Sequence, residues 1–391
     1  MRHQLSAECA LVFRSADPSC GAPEYAALAN SVRDWPRVLV LAELESAAST
    51  LWRALRASGA NLPPEIEQHA SVRAVALDLR QQYLARRTAQ TVDVFHRRGI
   101  PFLLLKGAAV GALVDPTFRM RSMTDIDILV HREDCDRARE ALIAAGWPET
   151  TDPVLLELLR DAHHLPHFVD PQMPDTRVEL HVALMPADQP FSFSEADLWR
   201  DAREAPPPFT GARIPSPEHL VLHASLHFAW QHTMAFGAWR TFRLIALLVR
   251  RPGFDWDALS RDARRANAAT SCYWTLRLLD HVCGVAVPPP VLEELAPPTP
   301  EWVQRSLERH IVAMIAPGEM PSSPSVTLSR LLWRAALRPR WSGYASPGRW
   351  DPEHRWETAR GTASTETALA RVARHVRNFP QWMQFVTKTL I

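Results

Sequence analysis

Three acidic side chains occur at spacings that suit a metal-dependent reaction. Asp125 and Asp127 are separated by one residue in the stretch DIDILV, and Glu179 lies in the later stretch RVELHV. Side chains alternate faces along a strand, so the two aspartates share one face of a predicted strand over 125–130. Neighbouring carboxylates repel unless a cation lies between them, and Mg²⁺ favours such oxygen ligands together with phosphate. The acids predict a divalent-metal site; the alternative is an exposed edge strand with solvated acids.

A glycine turn precedes this strand. Gly107 separates an apolar run over 100–105, which predicts a buried strand, from a predicted helix over 108–114. Free backbone N–H groups at a helix N-terminus attract phosphate. Lys106 is one of only two lysines in the 391 residues; the other is Lys388. An ammonium binds phosphate differently from a guanidinium, so Lys106 is either a phosphate ligand or a chance survivor in an arginine-rich chain.

Several histidines are candidates for proton transfer. His181 shares a strand face with Glu179 in a predicted strand over 177–182, where it either orients a carboxylate, exchanges a proton, or packs as a strand-end residue. Another cluster lacks zinc-ligand spacing, which favours a structural role: His163, His164 and His167. A third set recurs at every fourth residue of a predicted helix and either faces a polar cleft or packs in the core: His219, His223 and His227.

Helices are expected on both sides of these motifs. Before and within the motif region, apolar periodicity predicts helices over 26–32, 38–55, 71–95 and 133–145. A clear helix start occurs at 216. Further helices are predicted over 239–250, from 254 onward, and over 272–285, 300–314, 325–337 and 365–391. We therefore predict an N-terminal helical region (1–98), a core carrying the acids (99–210) and a C-terminal helical domain (211–391).

Composition narrows the function classes. The formal net charge is +1 and no basic block occurs, so a duplex nucleic acid partner is not favoured. No apolar run reaches the length of about 18 residues expected of a membrane span, and no signal peptide is predicted. The five cysteines are scattered, odd in number and without metal-ligand spacing, which indicates reduced thiols and a cytoplasmic location.

The order of these motifs resembles a known family. The pattern Lys106-Gly107, Arg121, Asp125-Ile-Asp127 and Glu179-Leu-His181 is similar to the uncharacterised nucleotidyltransferase group of the DNA polymerase β-like superfamily. The resemblance implies an α+β fold, in which a nucleotidyltransferase core with a small mixed sheet is flanked by N- and C-terminal helical domains.

The resemblance also implies roles for the site residues. Asp125 and Asp127 would hold two Mg²⁺ or Mn²⁺ ions around a nucleoside triphosphate such as ATP, and Glu179 would hold or polarise the acceptor side. Contacts to the triphosphate would come from the turn and from the loop before the strand: Lys106, Gly107 and Arg121. Serine often follows the glycine in this superfamily, whereas Ala108 stands here.

The expected reaction moves a nucleoside monophosphate from the triphosphate to a hydroxyl or phosphate of a small molecule or peptide by two-metal catalysis, and pyrophosphate leaves. Members of the group often occur among genes for modified peptides or other natural products. Ala108 motivates one alternative, a catalytically inactive nucleotide-binding accessory protein of a biosynthetic pathway. Another alternative is a different metal-dependent phosphotransferase or hydrolase that uses the same carboxylates.

Overall fold

The computed structural model describes residues 5–150, 163–185, 189–232, 234, 237–316, 376–377, 379–384 and 387. Helices come first in the chain: α1 (Ala7–Arg14), α2 (Ala22–Ser31), α3 (Trp35–Leu44), α4 (Ala48–Ser58) and α5 (Pro64–Arg97). The helices predicted over 26–32 and 71–95 are confirmed, with longer bounds, and α1 was not predicted.

The single helix predicted over 38–55 is wrong. The chain forms α3 and α4 instead, because Ser46 adopts a left-handed backbone conformation with φ of 60°. The N–H of Ala47 donates to the carbonyl of Ala42 at 2.7 Å, which is the bond that closes a helix C-terminus around a left-handed residue. Apolar periodicity continues across this break, so the pattern alone did not reveal it.

Within the described ranges, six strands form one mixed sheet in the order β3-β4-β2-β1-β6-β5. The strands are β1 (Phe102–Leu104), β2 (Asp125–Val130), β3 (Phe168–Val169), β4 (Arg177–His181), β5 (Arg203–Glu204) and β6 (Arg213–Ile214). β2 pairs antiparallel with β1 and parallel with β4. The aspartates therefore lie on a central strand, and the alternative of an exposed edge strand is wrong.

The remaining helices surround the sheet and continue beyond it. They are α6 (Lys106–Val114), α7 (Cys135–Ala144), α8 (Glu195–Asp201), α9 (Pro217–Leu226), α10 (Ala238–Val249), α11 (Trp256–Arg265), α12 (Ala269–Cys283), α13 (Pro289–Leu295) and α14 (Glu301–Ile315). The predicted start at 216 is confirmed, because the Ser216 hydroxyl accepts from the His219 N–H at 3.2 Å. The helix predicted over 325–337 and most of that predicted over 365–391 lie outside the described residues.

Helices that precede the sheet in the chain pack against helices that follow it. On α10, the Trp239 indole donates to the Ser15 hydroxyl at 2.9 Å, and its backbone N–H donates to the Glu45 carboxylate at 2.9 Å. A continuous cluster of buried apolar side chains includes α1, α4, α5, the sheet, α9, α10 and α12. The α+β class is confirmed, while the three-part division of the chain stays a prediction. No helix in the described ranges is both long enough and apolar enough to cross a bilayer.

Candidate active site

The register of the parallel strands brings the predicted acids together. Asp127 is the direct cross-strand partner of Glu179, and Asp125 is the partner of Arg177. In such a pair the side chains on one face are neighbours, so the Asp127 and Glu179 carboxylates project side by side. The N–H of Leu105 donates to the Asp127 carbonyl at 3.0 Å, which fixes the chain immediately before α6 against the same residue.

Asp127, Glu179 and His181 form a group suited to a metal ion. One donor atom from each residue lies within 4.8 Å of the other two. The Nε2 atom of His181 is 3.0 Å from the Asp127 carboxylate. Asp125 is outside this group, because it lies two residues earlier on β2, which is about 7 Å along a strand. Its predicted role as a metal ligand stays a prediction.

Lys106 forms ion pairs with the carboxylates of Asp127 and Glu179. Its Nζ atom is 2.7 Å from Asp127 Oδ1 and 3.9 Å from Glu179 Oε2. Lys106 also opens α6 with a φ of 44°, a left-handed conformation that is costly for a residue with a side chain. The structure pairs Lys106 with the predicted metal ligands, and its contact with a triphosphate stays a prediction.

Burial and neighbouring charges shift the pKa values of the Asp127 and Glu179 carboxylates in opposite directions. Burial raises the pKa of Asp127, but Lys106 and His181 outweigh burial and hold that pKa well below its usual range. Burial raises the pKa of Glu179 to about 7, because Lys106 only partly opposes burial and the two aspartates add to the shift. Burial lowers the pKa of His181, and Asp127 opposes this shift. The site therefore holds one firmly ionised carboxylate and one that titrates near neutrality.

Arg121 lies against Gly107, which the structure places in the first turn of α6 rather than in a separate turn before it. A Cβ atom added at Gly107 would fall 2.3 Å from Arg121 Nη2, so only glycine allows this approach. The Nε atom of Arg121 is buried and has no hydrogen-bond partner among the described residues. Burial lowers its pKa to about 10; Asp125 opposes this shift, and a second cation, Arg240 on α10, adds to it. A half-buried guanidinium with an unused donor beside a helix N-terminus is suited to an anion.

Helices α4 and α5 hold the loop that carries Arg121. Gln81 is fully buried, and its side-chain amide donates to the Met123 carbonyl and accepts from the Met123 N–H, each at 3.0 Å. The Thr50 hydroxyl donates to the Met120 carbonyl at 3.2 Å. These bonds fix the loop on both sides of Arg121, so the helices before the sheet position a candidate phosphate ligand.

Three histidines line one side of the acidic group, and we call them the histidine wall: His163, His164 and His167. The segment before β3 pairs with the end of β4, because the Leu165 N–H donates to the Leu180 carbonyl at 2.8 Å. The His163 and His164 rings then lie 5.4 and 5.3 Å from the His181 ring, and His167 Nε2 is 3.4 Å from Glu179. We expected a structural role for this cluster; no local pattern signalled its position, because the pairing joins distant parts of the chain.

Two histidines of the predicted stripe, His223 on α9 and His227 directly after it, also face this region. His223 and His227 are close enough to Lys106 and Asp127 for both charges to affect their pKa values, which burial lowers. Burial likewise lowers the pKa of His163 to about 2 and that of His164 to about 3. At His227 the chain passes into a π-helical turn, a feature frequent at functional sites. The histidines therefore line the site as neutral imidazoles.

A cavity of about 450 Å³ lies elsewhere, between α8, α9 and α11. It shares no lining residue with the acidic group, and several of its charged residues already pair: Arg200 with Asp201 at 2.9 Å, and Asp262 with Arg265 on α11. Compensated charges leave little electrostatic drive for a polyanion. The acidic group beside the glycine turn is therefore the better candidate for chemistry.

A small mixed sheet with acids on adjacent parallel strands, flanked by helices, agrees with a nucleotidyltransferase fold. A model of the uncharacterised nucleotidyltransferase family matches residues 31–284, more than half of the chain, and the chain belongs to that family. The matched range contains every candidate site residue. No curated protein and no solved structure matched the chain.

Proposed function

We propose that this protein transfers a nucleoside monophosphate from a nucleoside triphosphate to a hydroxyl or phosphate of a small molecule or peptide, with release of pyrophosphate. The observation that carries the proposal is the pairing of Asp127 with Glu179 on adjacent parallel strands, directly beside the start of α6. This arrangement supports a reaction that depends on charge neutralisation and positioning rather than on a covalent intermediate.

The triphosphate would bind at the start of α6. No described side chain caps this helix, so its first N–H groups are available to an anion. Arg121 adds a half-buried guanidinium with an unused Nε donor, packed against Gly107. Arg240 contributes positive charge from α10. Two cations near one another favour a ligand of high negative charge.

The donor set fits a divalent metal ion. His181 Nε2 is engaged with Asp127, so the metal ligands would be the carboxylate oxygens of Asp127 and Glu179, a set typical of Mg²⁺ or Mn²⁺ together with phosphate oxygens. Asp125, on the same strand face, is the candidate further ligand for a second ion. Bound metal ions would neutralise charge on the triphosphate and on the departing pyrophosphate.

Glu179 is the better candidate for the base on the acceptor side. In the metal-free site its pKa is raised to about 7, near working pH, whereas the pKa of Asp127 lies well below its usual range. A general base needs a free carboxylate oxygen, so Glu179 would take this role when the two aspartates hold the metal ions. The acceptor would then lie along the histidine wall. His163 Nδ1 and His181 Nδ1 are buried without hydrogen-bond partners among the described residues, so both are available to a polar acceptor.

One alternative keeps nucleotide binding without turnover, as an accessory protein. The observation that favours it is the ion pair between Lys106 and Asp127, which neutralises a carboxylate needed for metal binding. A second alternative is a phosphotransferase or hydrolase that uses the same acids. In that reaction the bond to the terminal phosphate breaks, so that phosphate is transferred or released.

Phosphate release distinguishes these functions. The protein is incubated with each triphosphate, Mg²⁺ or Mn²⁺, and fractionated small-molecule extracts as acceptor source. Malachite green then measures phosphate with and without added pyrophosphatase. A signal that requires pyrophosphatase supports nucleotidyl transfer, and a signal without it supports attack at the terminal phosphate.

Thermal shift with triphosphate and metal tests the accessory alternative. A stabilised protein that releases neither product across all extracts supports binding without turnover. The Asp125→Ala/Asp127→Ala protein is the control: an unchanged thermal shift in this protein contradicts the metal assignment.

A further inference from the structure

Lys106 occupies the place of a counter-ion between the candidate metal ligands. Its ammonium is 2.7 Å from Asp127 Oδ1 and 3.9 Å from Glu179 Oε2, and its side chain is 18% exposed. A cation is therefore already present where a divalent metal ion would have to bind, and it is tethered to the chain.

The ammonium is stable in this position. Burial by itself lowers the pKa of Lys106, but Asp127, Glu179 and Asp125 outweigh burial and raise that pKa above its ordinary value. The side chain is therefore charged throughout the neutral range. An ammonium and a metal dication at the same two carboxylates repel each other strongly, because little water separates them.

The same residue can reach the predicted triphosphate site. Lys106 is the first residue of α6, so its backbone lies where the helix N-terminus presents N–H groups to an anion. Its four-carbon stem is flexible and its ammonium has no preferred plane, unlike a guanidinium. Its φ of 44° is a strained conformation of the kind retained at functional sites.

We propose that Lys106 is an exchangeable counter-ion. In the nucleotide-free protein it neutralises Asp127 and Glu179 and excludes free divalent metal. When a metal–triphosphate complex enters, the ammonium moves from the carboxylates to the phosphates, and the metal takes its place. Metal and nucleotide therefore bind as one unit. This inference rests on the proposed function, because it needs a triphosphate at α6.

Titration with free Mn²⁺, without nucleotide, tests the exchange. The proteins compared are wild type, Lys106→Met, Lys106→Arg and the surface control Arg305→Met, which removes a charge from an exposed pair with Glu301. Lys106→Met is expected to bind Mn²⁺ at least about tenfold more tightly than wild type, because a positive charge that repels the ion is removed. Lys106→Arg and Arg305→Met are expected to bind as weakly as wild type. Adding Asp127→Asn to Lys106→Met is expected to abolish the gain.

Equal Mn²⁺ affinity in wild type and folded Lys106→Met overturns the inference, as does a gain that survives Asp127→Asn. If Lys106→Met is unstable without metal, thermal unfolding with and without Mn²⁺ decides. Mn²⁺ should then raise the Tm of this variant more than that of wild type, and equal shifts overturn the inference.

The outcome is separable from that of the proposed function. Pyrophosphate release by wild type together with no Mn²⁺ gain in Lys106→Met rejects only the counter-ion. A Mn²⁺ gain without any turnover supports the counter-ion and rejects nucleotidyl transfer.

Discussion

The Nε2 atom of His181 lies 3.0 Å from Oδ1 of Asp127, and each of these side chains is only 2% exposed. A hydrogen bond so shielded from water is strong and directional, and it fixes the orientation of the carboxylate. The two residues come from different strands: Asp127 lies in the middle of β2, and His181 ends β4. We therefore predict that His181 orients the carboxylate of Asp127.

Replacing His181 with Phe keeps the ring volume and removes the hydrogen bond. We expect the affinity for Mn²⁺ with a non-hydrolysable triphosphate, measured by calorimetry, to fall about tenfold, because outer-shell partners orient metal ligands. His219→Phe is the matched control, since His219 is also buried but lies outside the acidic group. Equal affinity in His181→Phe and wild type would contradict the orienting role.

Gly107→Ala tests the close packing at the turn. The new Cβ would meet Arg121 Nη2 and Met123 Sδ, each at 2.3 Å, so the guanidinium must move. We expect a stability loss of about 1–3 kcal/mol, as for other overpacked sites, and weaker triphosphate binding in the thermal-shift assay. The control is Gly21→Ala, where the nearest atom would be 3.6 Å away. Unchanged binding in Gly107→Ala would remove the turn from the triphosphate site.

Arg121→Gln tests the anion site. Hydrogen bonds to charged groups contribute about 1.5–3 kcal/mol, so we expect triphosphate affinity, measured by calorimetry, to fall by roughly ten- to a hundredfold. Arg119→Gln is a near neighbour for comparison; Arg119 pairs with Asp78 at 3.3 Å and should leave affinity unchanged. Parallel losses in both variants would indicate a general effect of the loop rather than a phosphate contact.

Asp170 makes the stability of the protein depend on pH. Its buried carboxylate accepts from Arg87 Nε at 2.7 Å and from the Tyr83 hydroxyl at 2.9 Å, which joins α5 to the turn before β4. Burial raises its pKa, but these hydrogen bonds outweigh burial, and the folded-state pKa is lowered. The stabilisation is therefore complete above the unfolded pKa of about 3.9 and is lost as pH falls through the folded value.

We expect Asp170→Asn to lower the free energy of unfolding at pH 7 by about 3 kcal/mol, because it leaves the Arg87 charge without its partner. Urea unfolding between pH 7 and pH 3 should show a shallower acid loss in the variant than in wild type. Asp175→Asn is the control, since that carboxylate is 84% exposed and 3.8 Å from Arg80. The same acid slope in wild type and Asp170→Asn would show that other groups control acid stability.

Strands and helices near the acids were predictable because they follow local rules. Alternation of side-chain faces along 125–130 and 177–182 predicted β2 and β4. The apolar run over 100–105, followed by Gly107, predicted the start of α6. The short strands β3, β5 and β6 were missed, since a strand of two residues is too short to show alternation of apolar and polar side chains. The break at Ser46 was missed because a left-handed residue leaves no mark on apolar spacing. The histidine wall was missed because a distant chain pairing creates it.

By itself, the sequence determined which residue types face one way on each strand, and so which acids were available to act together. Only the tertiary structure decided their partners: Glu179 opposite Asp127, Lys106 between them, and Arg121 against Gly107. The physical reason is the distance along the chain over which each interaction acts. Alternation and capping act within a few residues, whereas strand register and the burial of charge depend on segments far apart in the chain.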